Sequence, residues 1–379
     1  MRLKPVRPES STIFPEPPLI PIHQCEVSAY TIPTDAPEGD GTLQWNSTTL
    51  VLAQIEAGGK TGLGYTYGHK AVATLARWLA ERCLLHQPAL DIPALHHSMR
   101  QQVRNDGSPG IASMAMAALD IALWDLKAKL FECALVDLLG QAQPGVAAYG
   151  SGGFTTYNQK QLTDQLSGWA AEGCRFVKMK VGANPSADPQ RVREARAAIG
   201  TGVSLFVDAN GAFSTRQAIA MADQFAEFGV RWFEEPVSSD DLTDLRRVRD
   251  RAPDAMEIAA GEYGYDSLYF RRMLEHASVD VLQLDATRCK GFTGFLEGAA
   301  VAASFGCPIS AHCAPSLHMH AGCAIPGFRH VEYFHDHVRI EQMLLDGFIP
   351  VRDGQLRPDR SRHGLGLIFK HKDAERFAA

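Results

Sequence analysis

Seven polar residues each stand at the end of a short apolar run. They are Lys178 and Lys180 in RFVKMKVG, Asp208 in SLFVDANG, Glu234 in VRWFEEP, Glu262 in MEIAAGE, Asp285 in VDVLQLDAT and His312 in CPISAHC. Beyond the lysine pair, successive members lie about 20 to 30 residues apart, close to the length of one βαβ step. A charged group at the end of strand after strand is how a (β/α) barrel furnishes an active site at its C-terminal face. Taken singly, each residue is ordinary, because lysines are mostly exposed and carboxylates at loop starts are mostly solvated. The regular series is what points to chemistry.

Side chains alternate along a strand, so Lys178 and Lys180 share one face and Met179 takes the other. Two ammonium groups side by side repel. Each is therefore expected to have a lowered pKa, which makes a lysine a usable base near neutral pH. Asp208, Glu234 and Glu262 follow three consecutive strands. If they converge, they cannot all ionise at low cost without a cation between them. An oxygen-only ligand set in a catalytic setting favours Mg2+. Asn210 shares the face of Asp208 and is placed to orient a ligand or touch the metal. In Glu234-Glu235-Pro236 only one carboxylate can face inward; Glu234 is assigned to the metal and Glu235 to a supporting role.

Asp285 and His312 end the sixth and seventh strands of the series. A carboxylate beside an imidazole fixes its tautomer and raises its basicity, so the pair reads as a second acid/base on another wall from the lysines. Glu332, in HVEYF, ends the eighth. A carboxylic acid there would protonate or hydrogen-bond a negative substrate oxygen, given a pKa raised by burial beside other carboxylates.

The elements that must carry these residues are legible in outline. Ile22–Thr31, Thr48–Ile55 and Thr61–Tyr67 read as an antiparallel meander. Helical patterns follow over Val72–Leu85, Ile92–Gln102 and Ala112–Leu130, the last with Asp120, Asp125 and Lys127 among apolar residues. This implies an α+β domain over residues 1–140, with Gly140–Gly145 as a linker. From Val146, short strands alternate with amphipathic helices, which argues for a parallel sheet over residues 141–344. Eight strands would close a barrel; a doubly wound open sheet would instead gather its polar residues at one crevice. The segment 345–379, with its apolar GLGLIF, is expected to fold back on the first domain. The stretches Thr34–Asn46, which carries Asp35, Glu38, Asp40 and Trp45, and Thr66–Lys70 read as loops over the barrel mouth. Ser151–Tyr157 is a third candidate.

Bulk properties narrow the classes. The chain has 379 residues, long enough for two domains, and a net charge of −6 with no evident basic patch, which disfavours nucleic acid or an anionic membrane as partner. No apolar run reaches a membrane span. The proline-rich start has no long apolar core, so it does not read as a signal peptide. Eight scattered cysteines without a CxxC pair or zinc-ligand spacing read as reduced thiols in a cytoplasmic protein.

From about Ile22 to Phe369 the chain resembles the enolase superfamily, specifically its mandelate racemase subgroup. The resemblance rests on KMK at Lys178–Lys180, VDAN through Asp208 and Asn210, EEP at Glu234–Pro236, GE at Gly261–Glu262, and the Asp285–His312 pair, all in order and spacing. It implies an α+β capping domain on a (β/α)7β modified TIM barrel. It also implies one Mg2+ on Asp208, Glu234 and Glu262, and removal of the proton alpha to a carboxylate to give a metal-stabilised enediolate. Lys180 would be the base on one face, tuned by Lys178. His312, oriented by Asp285, would act on the other, and Glu332 would hydrogen-bond the substrate carboxylate. Muconate-cycloisomerising and dipeptide-epimerising relatives carry a lysine at the end of the sixth strand, where this chain has Asp285; Lys290 lies five residues on. Proteins with this residue set are mostly acid-sugar dehydratases. A carbon–oxygen lyase that converts an aldonate or aldarate to a 2-keto-3-deoxy acid is therefore expected. A racemase, epimerase or cycloisomerase of a 2-hydroxy acid or acid-sugar lactone is the alternative. Asn210, Tyr157, Arg288, His318 and Trp45 are expected to meet the substrate, while His320, His335 and His337 read as loop or structural. The partner is a small-molecule carboxylate, and a homo-oligomer, dimer or octamer, is expected.

Overall fold

The computed structural model describes residues 19–379. The proline-rich start, which does not read as a signal peptide, lies almost wholly outside the described residues. Strands β1 (Gln24–Gly39), β2 (Gln44–Ala57) and β3 (Lys60–Tyr67) form an antiparallel sheet in that order. Helices α1 (Ala71–Cys83), α2 (Ile92–Gln102) and α3 (Ile111–Leu130) cover it, and the short α4 (Leu135–Leu139) follows. α3 lies so close on β3 that a Cβ at Gly64 would meet the Ala118 carbonyl oxygen at 2.2 Å. The meander is longer than the sequence pattern suggests. The stretch 34–46 is not a loop: β1 and β2 run on to Gly39 and from Gln44, with a register shift between Pro33 and Glu38 and a tight turn at the tip. Prolines at 33 and 37 break the period-2 pattern without ending the strand, because the shift absorbs them.

The second unit alternates strand and helix: β4 (Val146–Gly152), α5 (Gln159–Ala171), β5 (Phe176–Lys180), α6 (Asp188–Ile199), β6 (Ser204–Asp208), α7 (Thr215–Ala226), β7 (Val230–Glu234), α8 (Leu242–Arg249), β8 (Glu257–Ala260), α9 (Ser267–Glu275), β9 (Val281–Leu284), α10 (Gly291–Ser304), β10 (Ile309–Ala311), α11 (Pro315–Ala324) and β11 (His330–Phe334). All eight strands pair in parallel in sequence order, and β11 pairs back to β4, so the sheet closes into a barrel rather than staying open. Side-chain caps start several of the helices. Asn158 and Ser214 form reciprocal capping boxes with Gln161 and Gln217, and Asp241 and Asp266 accept the N3 amides of α8 and α9.

The barrel interior is layered. Tyr149, Phe206, Trp232, Ala259 and Val281 pack as its floor, with the Phe206 and Trp232 rings stacked at 5.1 Å. Two residues beyond Phe206 and Trp232, on the same face, stand Asp208 and Glu234. Register aligns Lys180 with Asp208 and Asp208 with Glu234, so adjacent strands deliver these groups at one height.

Helix α12 (His335–Leu344) continues directly from β11. The tail adds β12 (Leu345–Asp346), β13 (Gln355–Leu356), β14 (Ile368–Phe369) and α13 (His371–Ala374). β13 pairs antiparallel with the start of β4, and β14 pairs with β12. The chain then returns to the cap: the Leu365 amide donates to Asp125 of α3 at 2.6 Å, and the Ala379 amide donates to the Ala29 carbonyl at 3.0 Å. Cap and barrel meet through further buried bonds. Thr293 of α10 donates its amide and hydroxyl to Asp120 of α3 at 3.0 and 2.6 Å, and Thr66 donates to the Thr287 carbonyl at 2.7 Å. Among the described residues no helix is long and apolar enough to cross a membrane.

Candidate active site

The strand ends converge on a cavity of about 500 Å³ between barrel mouth and cap. Lys180, Asn210, Glu262, Arg288 and His312 line it from the barrel; Asp40, Leu43, Trp45, Thr49 and Tyr67 line it from the cap. Lys178, Asp208 and Glu234 lie directly beneath, all fully buried. The backbone leaves three of the strands sharply. Asn210, Glu235 and Cys313 have φ of 47°, 39° and 52°, a conformation that non-glycine residues adopt mainly where a site demands it. Gly261 has φ 135°, and a Cβ there would meet the Gln283 carbonyl oxygen at 2.3 Å, so the turn that presents Glu262 requires glycine.

A carboxylate oxygen from each of Asp208, Glu234 and Glu262 lies within 4.8 Å of the other two. Glu234 is anchored by the Trp232 indole, which donates to Oε2 at 3.0 Å, and by Lys178 at 2.5 Å. Glu262 takes Arg288 on Oε1 at 2.8 Å, while its buried Oε2, 3.3 Å from His312 Nε2, has no hydrogen-bond partner among the described residues. Five buried carboxylates (these three, Asp285 and Glu332) face three basic side chains, Lys178, Lys180 and Arg288. A divalent cation would balance the excess, and an all-oxygen ligand set with one orphaned oxygen suits Mg2+. Burial and repulsion by Asp208 push Glu234 up to about 8. For Glu262, burial pushes up but His312 and Arg288 prevail, bringing it down to about 2.

The lysines are not the bare, mutually repelling pair expected. Lys178 sits 2.8 Å from Glu332 and 3.4 Å from Asp208 as well as on Glu234. Lys180 contacts Asp208 directly and donates to Asn210 Oδ1 at 3.1 Å. Burial pulls both ammonium groups down, but the carboxylates outweigh it and hold both above their ordinary value. Glu332 also departs from expectation. Burial would raise it, yet Lys178 and His312 carry it well below the usual carboxylate range. Its oxygens accept from Ser151 Oγ at 2.5 Å and from the Cys313 amide at 3.0 Å, so it is an anion rather than a neutral acid.

On the far wall, His312 Nδ1 meets Asp285 Oδ2 at 2.8 Å, and Nε2 lies 3.3 Å from Glu262. The other Asp285 oxygen accepts both the amide and the hydroxyl of Thr287 at 2.7 Å. Burial lowers the imidazole, but Glu262 with Glu332 and Asp285 lift it above its ordinary value.

Of the residues expected to meet substrate, Asn210, Arg288 and Trp45 line the cavity and two do not. His318 is fully buried on α11, bonded at 2.7 Å to the Cys313 carbonyl and accepting the Ala286 amide at 2.8 Å. It buttresses the turns beneath Asp285 and His312. Tyr157 packs edge-on against Phe154. Conversely, His337 lies on α12 rather than in a loop. Its ring stacks on Tyr67 at 3.5 Å and lines the cavity. Cys313 also lines it, with Sγ 3.2 Å from His312 Nε2, and Tyr263 stacks against Arg288 at 5.0 Å.

Residues 36–140 match the family model for the mandelate racemase / muconate lactonizing enzyme N-terminal domain, and residues 161–374 match that for the enolase C-terminal domain-like fold. The chain belongs to the mandelate racemase branch of the enolase superfamily. Within it, a mandelate racemase/muconate lactonizing enzyme-like protein from Rubrobacter xylanophilus is 48% identical, with a TM-score of 0.93 over 95% of this chain and 100% of that one. The 3,6-anhydro-alpha-L-galactonate cycloisomerase of Streptomyces coelicolor is 32% identical over 85% of this chain and 90% of its own length. An L-talarate dehydratase from Polaromonas sp. JS666, solved with Mg and L-glucarate, is 29% identical, with a TM-score of 0.86 over 95% of this chain and 98% of that one.

Proposed function

We propose that this enzyme removes the proton alpha to the carboxylate of an acid sugar, with Mg2+, and eliminates the β-hydroxyl as water to give a 2-keto-3-deoxy acid. The observation that carries the reading is the set Asp208, Glu234 and Glu262 flanked by Lys180 on one wall and the Asp285–His312 pair on another. The three carboxylates would hold Mg2+, whose charge, when bound, makes an α-proton acidic enough for an amine or imidazole to remove. Lys180 Nζ takes that proton on one face of the substrate. With Asp208 and Glu262 committed to a cation, burial and the neighbouring Lys178 charge favour the neutral amine a base requires, and Glu332 opposes them. His312 Nε2, from the other face, delivers a proton to the departing hydroxyl, while its Nδ1–H stays on Asp285. Glu332 holds Lys178 and the Cys313 turn in place. Arg288, Trp45 and Asn210 meet the substrate's oxygens.

Cycloisomerisation or epimerisation is the second reading. The Streptomyces coelicolor relative named as a cycloisomerase favours it, and the same two bases would serve. The relatives that carry Mg and glucarate weigh toward dehydration. A panel of aldonates, aldarates and acid-sugar lactones, incubated with Mg2+ in D2O and followed by NMR, separates the two. Formation of a 2-keto-3-deoxy acid supports dehydration. Deuterium in recovered substrate without loss of water assigns the isomerase, and retention of every α-proton would sink both.

A further inference from the structure

Away from the catalytic carboxylates, a second group of acids lies where the cap hairpin crosses the start of α12. Asp35 and Glu38 come from β1, His335 and Asp336 from α12. His335 Nε2 is 3.0 and 3.2 Å from the two Asp35 oxygens, and one ligand atom from each of Asp35, Glu38 and His335 lies within 4.8 Å of the others. Glu38 and Asp336 are fully buried. Among the described residues, each leaves an oxygen without a hydrogen-bond partner, Glu38 Oε1 and Asp336 Oδ2. Among the described residues the one arginine in contact, Arg339, is committed to the other Asp336 oxygen and to the Pro33 carbonyl. Three carboxylates therefore face one arginine and one imidazole, and two buried carboxylate oxygens stay uncompensated, a costly arrangement unless something positive enters.

We propose that Asp35, Glu38 and His335 form a second divalent-cation site that clamps the β1–β2 hairpin to the barrel. The ligand set selects the ion. Two carboxylates with one imidazole suit Zn2+ or Mn2+, whereas Mg2+ sites are built from oxygen alone. The Asp336 carboxylate, close enough to raise the Glu38 carboxyl, adds to the negative charge beside the ion. The site also bears on the catalytic cavity. Glu38 Oε2 accepts the Trp45 indole N–H at 2.8 Å, and Trp45 is part of the cavity wall. A cation here fixes the wall against which the substrate packs. The competing account is that Glu38 keeps a proton: burial and the Asp336 charge push its carboxyl up to about 8. A proton satisfies one oxygen of Glu38 but leaves Asp336 Oδ2 and the Asp35 charge as they are.

The test uses full-length protein saturated with Mg2+, exposed to Zn2+, freed of unbound metal by gel filtration and counted by elemental analysis. Hydrogen exchange over residues 33–45 is followed in parallel. Wild type is expected to retain about one Zn2+ per chain beyond its Mg2+ and to slow exchange in the hairpin on binding it. His335→Ala, at a partly exposed position, and the isosteric Glu38→Gln both lose that Zn2+ and the added protection. Cys313→Ser, which removes the thiol beside His312, keeps them. No retained Zn2+ in wild type, equal retention in His335→Ala and Glu38→Gln, or loss only in Cys313→Ser would overturn the site. None of these readouts depends on the proposed reaction, so failure of one leaves the other standing.

Discussion

Asp285 shows how a single buried carboxylate sets the chemistry of its neighbour. It accepts two bonds from Thr287 on one oxygen and His312 Nδ1 on the other. His312 and His318 outweigh burial and hold it far below the usual carboxylate range, so it stays anionic. Asp285→Asn keeps the shape and loses the charge, and the imidazole then has no reason to keep its proton on Nδ1. Turnover is expected to fall by about 10²- to 10⁴-fold, read as kcat with KM little changed. Deuterium exchange at the α-carbon, which we propose belongs to Lys180, should survive better than turnover. Residues that end a strand were legible because one polar group after an apolar run is conspicuous. Their ionisation was not legible. The KxK pattern says that two ammonium groups are close, and nothing in it says that Asp208, Glu234 and Glu332 press against them. Trp232, Tyr263 and Cys313 carry no signal either, since an indole, a phenol or a thiol at a strand end looks like core.

At the scale of elements, β3 and α3 depend on their closest approach. Gly64→Ala puts a methyl group 2.2 Å from the Ala118 carbonyl, and backbone cannot yield as a flexible side chain can. A loss of roughly 1–3 kcal/mol is expected, as for overpacked cores, measurable as a lower urea midpoint. Asp120 gives α3 a pH dependence. Burial pushes its carboxyl up to about 7 despite the Thr293 bonds that pull it down. Its folded value lies above the unfolded one, so the native state binds the proton more tightly between the two. Its contribution is complete below the unfolded pKa and fades as pH rises through about 7. Asp120→Asn should therefore flatten the fall in Tm between about pH 4 and 7; an unchanged slope would place the dependence elsewhere. Amphipathic helices such as α9 were legible to the residue, because one face is wet. Helix α11 was not, because Pro315 to Cys323 are all buried and no polar face exists to set a period. The hairpin at 34–46 looks like a loop for the opposite reason: its proline and glycines are turn residues in composition, yet the strand bulges around them.

The whole molecule is held together by contacts that the chain makes late. Residues 364–379 return to the cap, where Gly364 accepts the Leu135 amide at 2.7 Å, Leu365 caps Asp125, and the last residue pairs with Ala29. Ending the chain after His363 should leave buried Asp125 one donor short and expose the Phe369 ring packed on Tyr30 at 5.1 Å. Cap and barrel then lose their shared cooperativity, and calorimetry should show a lower Tm with a broadened or split transition. The cavity lies between these two units, so neither alone can hold a substrate. The proposed reaction is removal of an α-proton from an acid sugar by a base beside the cation site, with Lys180 and His312 on its two sides. It is tested most directly by NMR in D2O, following the α-hydrogen of a turned-over substrate in wild type, Lys180→Ala and His312→Ala, each with Mg2+ and with EDTA. The expected result is loss of the α-hydrogen with product in Mg2+-loaded wild type, none in EDTA, no α-exchange in Lys180→Ala, and exchange without product in His312→Ala. Turnover that persists in EDTA, or in both variants at the wild-type rate, would contradict it.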